Sequence, residues 1–130
     1  MILATKPILI IIEMEKVNSI IKANMSIADD NENVLEIYVC GIFISFCYTN
    51  PQLLPRQYKV PPTDGIFDFD FVADKSDVQN ENCPALVIAE YKWENFPANI
   101  TGIRIHSKTN CLERNMSQLK KTKTFELLLK

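Results

Sequence analysis

Polar and apolar residues alternate along much of this chain, and the pattern is sharpest over Gly65–Asp74, GIFDFDFVAD. Phe67, Phe69, Phe71 and Ala73 share one parity. Ile66, Asp68, Asp70, Val72 and Asp74 share the other. Successive side chains of a strand point to opposite faces, so this spacing predicts a strand with a buried aromatic face and an acidic face.

The rest of the chain is read against that strand. Ile8–Met14 is β-branched and apolar on both parities, as in a strand covered on both sides. Glu15-Lys16 is read as a tight reversal. Val17–Ile27 alternates as a half-buried strand, and Asp29–Asn33 is a turn signal because Asx side chains bond their own backbone. Leu35–Tyr48 is rich in β-branched and aromatic residues and is read as one long strand, bent or bulged at Gly41. A buried helix is the alternative. Asn50–Asp64 carries Pro51, Pro55, Pro61 and Pro62, which exclude a central strand and point to a long connection.

Two further alternating stretches follow. Leu86–Trp93 sets Val87, Ala89, Tyr91 and Trp93 against Leu86, Ile88, Glu90 and Lys92. Ile100–Ser107 sets Ile103 and Ile105 against Arg104 and His106. Asn110-x-x-Glu113 resembles a capping box, and Leu112, Met116 and Leu119 form an i, i+4, i+7 stripe, so a short helix is expected over Cys111–Lys120. Thr122–Lys130 alternates again and reads as a last strand. These elements predict an all-β fold: a seven-stranded antiparallel sandwich or open barrel with one short C-terminal helix, with an α+β sheet as the alternative.

Composition narrows the classes. The 130 residues suit one β-rich domain over 1–130, large enough to bury a core without metals or disulfides. Net charge is −2 and the pI about 5.4, which disfavours nucleic acid as a partner. The longest apolar run, Ile8–Ile12, is far too short to cross a membrane, and the N-terminus lacks the basic start and cleavage site of a signal peptide. A cytoplasmic location is therefore expected.

The four cysteines, Cys40, Cys47, Cys83 and Cys111, form no CxxC pair. Within one extended strand Cys40 and Cys47 would be too far apart to bridge. Free thiols in a reducing compartment are one reading, and a Cys83–Cys111 bridge is the other. Three Asn-X-Ser/Thr triplets, at Asn24, Asn99 and Asn115, would matter only in a secreted chain.

If the strands at Gly65–Asp74, Leu86–Trp93 and Ile100–Ser107 form a meander, their even-numbered residues share a face. That face would carry Asp68, Asp70, Glu90, Lys92, Arg104 and His106. It would be either a general acid/base or charged-ligand site, or a solvated face whose charges pair across strands. With His106 the single histidine, no multi-histidine metal site is possible, and no metal or cofactor is expected. Asp64, Asp68, Asp70, Asp74 and Asp77 raise calcium, but alternate strand residues diverge and no Asp-x-Asp-x-Asp-Gly loop is present. A nucleophile elbow and a glycine-rich phosphate loop are both missing. Leu53, Leu54, Tyr58 and Val60 in the Pro-rich segment would form a partner-binding patch if exposed, or cap the core if buried.

The leading functional expectation is a non-catalytic interaction module that binds a partner protein, or a second copy of itself through a sheet edge or face. The alternative is a small-ligand-binding barrel or enzyme. Its pocket would be lined by Phe67, Phe69, Phe71, Tyr91 and Trp93, with His106 or Glu90 at the mouth.

Overall fold

The computed structural model describes residues 13–43, 47–76 and 86–119. They form eight strands in chain order: β1 Glu13–Lys16, β2 Ser19–Ile27, β3 Val34–Ile42, β4 Cys47–Pro55, β5 Ile66–Ser76, β6 Leu86–Glu94, β7 Gly102–His106 and β8 Cys111–Asn115. One 3₁₀ turn, Met116–Gln118, follows. No helix among the described residues is long and apolar enough to cross a membrane.

The strands build two sheets that share one core. In the first, β5 is central. β4 pairs along one edge of β5, antiparallel, from Cys47↔Ser76 to Pro55↔Phe69. The other edge is divided: β7 takes its first half, parallel, from Ile66↔Gly102 to Asp70↔His106, and β1 takes its second half, antiparallel. β8 extends the sheet beyond β7. Val17 joins the two half-partners, because its N–H donates to Phe71 O at 2.8 Å and its carbonyl accepts from Lys108 N–H at 2.8 Å. The second sheet is antiparallel, in the order β2-β3-β6.

The core lies between the sheets. Phe69, Phe71, Ile103 and Ile105 from the first sheet and Leu35, Ile37 and Val39 from the second are essentially inaccessible. Phe69 packs edge-on against both Tyr91 and Trp93, with ring centroids 5.4 Å apart. The aromatic face read from the alternation of β5 is thus the floor of the core, roofed by β6 of the opposite sheet.

Several expectations are corrected. Described strands number eight rather than seven, and the pair β5/β7 is parallel, so the sandwich is not purely antiparallel. The expected meander does not form, because the chain leaves the first sheet after β5, runs through the second as β6, and returns as β7. Glu15-Lys16 is no reversal: Lys16 ends β1, and Val17 and Asn18 carry the chain across to the other sheet.

Leu35–Tyr48 is two strands in different sheets, so Cys40 and Cys47 were never on one ladder. Gly41 is not a bulge but a close approach. A Cβ there would sit 2.7 Å from the Phe71 ring and 2.8 Å from Val17. The bulge is opposite, between Ile20 and Lys22, and it moves β2 from one parity to the other, burying Ile20 and exposing Ile21.

Asn50–Asp64 begins not as a connection but as most of β4. Proline is tolerated there because β4, among the described residues, pairs on one side only and its ladder is interrupted between Thr49 and Gln52, where Asn50 is left-handed at φ 54°. The helix expected at Cys111–Lys120 is instead β8 and the 3₁₀ turn. Leu112 packs against the core on a two-residue period, and the capping-box letters serve elsewhere. Of the strand expected at Ile8–Met14, Glu13 and Met14 belong to β1 and the rest lies outside the described residues, as do the strand expected at Thr122–Lys130 and Cys83.

Candidate functional site

The parallel register of β5 and β7 sets Asp68 beside Arg104 and Asp70 beside His106. β8 then places Glu113 beside Arg104 and Cys111 beside His106. All six belong to the outward parity of their strands, because the inward parity is filled by Phe67, Phe69, Ile103 and Ile105. Four of the sequence-predicted residues, Asp68, Asp70, Arg104 and His106, are therefore brought together.

Asp68 is the hub. His106 Nε2 lies 2.7 Å from its Oδ1, and Arg104 reaches the same oxygen at 3.4 Å. The Tyr58 hydroxyl donates to Oδ2 at 2.7 Å and accepts from the Asp68 N–H at 2.8 Å. Burial of Asp68 raises its pKa, but the bonds from His106 and Tyr58 and the charge of Arg104 outweigh it and hold the carboxyl below the ordinary 3.8. The carboxylate is thus ionised at neutral pH and can only accept, so the proton in the short contact sits on Nε2 of His106.

Asp70 is held in parallel. Arg56 grips it through two bonds, at 3.2 and 3.0 Å, and Lys16 stands 3.7 Å away. Here too burial raises the pKa and the Arg56 bond and charge reverse it. Arg104 closes the network on Glu113 at 3.0 Å.

Glu90 and Lys92 do not join this face. They lie on the outer side of the second sheet, because β6 pairs with β3. There they line a shallow, open depression of ≈ 230 Å³ with Asn24, Ser26, Glu36 and Tyr38. The loop candidates also divide. Leu53 is core, Leu54 is half-buried opposite Asp70, and Tyr58 and Val60 are exposed, Val60 at 74%.

Arg56, Tyr58, Lys16, Glu113 and Cys111 were missed as members of the face. The available signal was the repeated pairing of opposite charges at outward positions, Asp68/Asp70 with Arg104 and Glu113. It named no partner until register was known. The Asp68–His106–Cys111 line has the residue types of a thiol nucleophile with its base. The chemistry does not follow. Burial pushes the Cys111 thiol up from its ordinary 9.0, and no hydrogen bond joins it to His106 among the described residues. Cys40 and Cys111 are free thiols. No cluster of three or more metal-ligating side chains occurs among the described residues.

No family model, no curated protein and no solved structure matches this chain.

Proposed function

We propose that this chain is a non-catalytic β-sandwich interaction module that binds a partner protein through the loop following β4 and the charged outer face of the first sheet. The observation that carries the reading is the double bond pattern of Tyr58 on Asp68, reinforced by the two bonds of Arg56 on Asp70. Together they pin an irregular segment to the sheet. What the pinned segment presents outward is Val60, with Lys59 and Gln57 beside it. A loop fixed before binding loses less entropy on docking, so a small exposed apolar contact supports useful affinity.

The ligand-pocket alternative draws less support. Its lining rings fill the space between the sheets by touching one another: Phe67 and Trp93 at 5.4 Å, Phe69 and Tyr91 at 5.4 Å.

The test is a photo-crosslinking side chain placed at Val60, and at Glu32 in the Asx turn before β3 as a control. In extracts of cells that make the protein, Val60 should capture one dominant protein, and Tyr58→Phe should reduce the yield. The same set of proteins captured equally from Glu32 would contradict the reading.

A further inference from the structure

The sheets expose edges of very different kinds. The outer edge of β2 is capped by side chains: Asn110 accepts from Ile20 N–H at 2.8 Å and donates to Ile20 O at 2.9 Å, while Arg114 donates to Ala23 O at 2.9 Å. The outer edge of β4 is broken by its bulge and by Pro51. β8 is only five residues long, and β1 spans four among the described residues. β6 has none of these protections. It runs nine residues and, among the described residues, pairs only with β3.

The backbone groups that β6 offers are set by its register with β3. Asn95 N–H donates to Asn33 O, and the same register continues through β6, so the odd-numbered residues bond β3. The even-numbered residues, Leu86, Ile88, Glu90, Lys92 and Glu94, turn their N–H and C=O outward. Leu86 and Ile88 are 57% and 49% exposed.

We infer that this edge pairs with β6 of a second copy of the chain, antiparallel about a two-fold axis at Tyr91, joining the two three-stranded sheets into one. The inference goes beyond the docking reading above and takes up the self-association through a sheet edge that the sequence led one to expect. Register follows from charge. Pairing an even residue with an odd one would set outer side chains against inner ones, so only even-with-even registers remain. Centring on Glu90 would place Glu90 opposite its own copy, and like charges in that position repel. Centring on Ala89 would set Glu90 against Ile88. Centring on Tyr91 sets Glu90 opposite Lys92 of the other copy, twice by symmetry, and Ile88 against the stem of Glu94. Among the described residues neither Glu90 nor Lys92 makes an ion pair within the chain.

The experiment is sedimentation of the full chain across micromolar to submillimolar concentration. A reversible dimer is expected. Lys92→Glu should weaken it at least about tenfold, because two attractive pairs become two repulsive ones, and Glu90→Lys combined with Lys92→Glu should restore it. Ile88→Pro removes only an outward N–H, so it should leave the β3 ladder and the far-ultraviolet spectrum intact while abolishing the dimer. A monomer at every concentration overturns the inference, including one whose β6 amides are protected by another segment of the same chain. So does a dimer indifferent to Lys92→Glu and Ile88→Pro, which would place the contact elsewhere. None of these variants touches Asp68 or Tyr58, so the docking reading stands or falls separately.

Discussion

The outer face of the first sheet and the outer face of the second are built from the same alternation, yet they are used differently. On the first, Asp68, Asp70, Arg104, Glu113 and His106 are all engaged with one another or with Arg56, Tyr58 and Lys16. On the second, Glu90 and Lys92 flank an open depression beside exposed Leu86 and Ile88. The difference comes from neighbours. β5 is flanked on both edges and crossed by a loop that folds back on it, whereas β6, among the described residues, pairs with β3 alone. A charged face becomes a network when a third element supplies the missing partners.

The comparison breaks altogether if the shared core is cut. Phe69→Ala should cost about 3–5 kcal/mol in denaturant unfolding, because the ring is fully buried between Tyr91 and Trp93 and the cavity cannot close from either sheet. Both faces should be lost in one transition.

The contrast sharpens at the hub. Asp68→Asn should cost about 1–3 kcal/mol, since it leaves Tyr58 and Arg104 facing a neutral amide. Asp68 and Asp70 also make a pH signature. Both carboxyls have folded pKa values below the ordinary 3.8. Their contribution is therefore complete above that value and is lost as pH falls through it toward the folded values. Thermal stability should drop below about pH 4, and the drop should flatten in the Asp68→Asn, Asp70→Asn double variant.

Asn110→Ala removes both bonds that cap Ile20 and should cost about 1 kcal/mol, with the amides of β2 exchanging faster while those of β3 do not. On the second sheet, Glu90→Gln should change the melting of dilute protein by no more than about 0.5 kcal/mol, as expected of an exposed group outside any network.

Much of the all-β architecture was legible because burial imposes a period of two, and the stretch over β5 carried that period without interruption. Connectivity was not legible. Alternation says which residues share a face within a strand, not which strand lies beside it, so Glu90 and Lys92 were assigned to the face of Asp68 although β6 belongs to the other sheet. Pro51 misled because proline excludes a central strand but permits an edge one. Asn110 and Glu113 carry the letters of a helix cap, yet the amide caps a strand edge and the carboxylate binds Arg104, since the core required Leu112 on a strand. His106 and Asp68 were both named as candidates. Tyr58, which completes their site, was named only as a partner-binding residue, because its hydroxyl had no visible target in the sequence.

The central claim is that the Asp68 hub holds the loop after β4 in place as a docking surface. Backbone ¹⁵N relaxation at Gln57, Tyr58, Lys59 and Val60 tests it most directly. The account predicts order parameters near those of the strands, about 0.85, falling toward about 0.6 in Tyr58→Phe. A loop already that loose in the wild-type chain, or one unchanged by Tyr58→Phe, would contradict it.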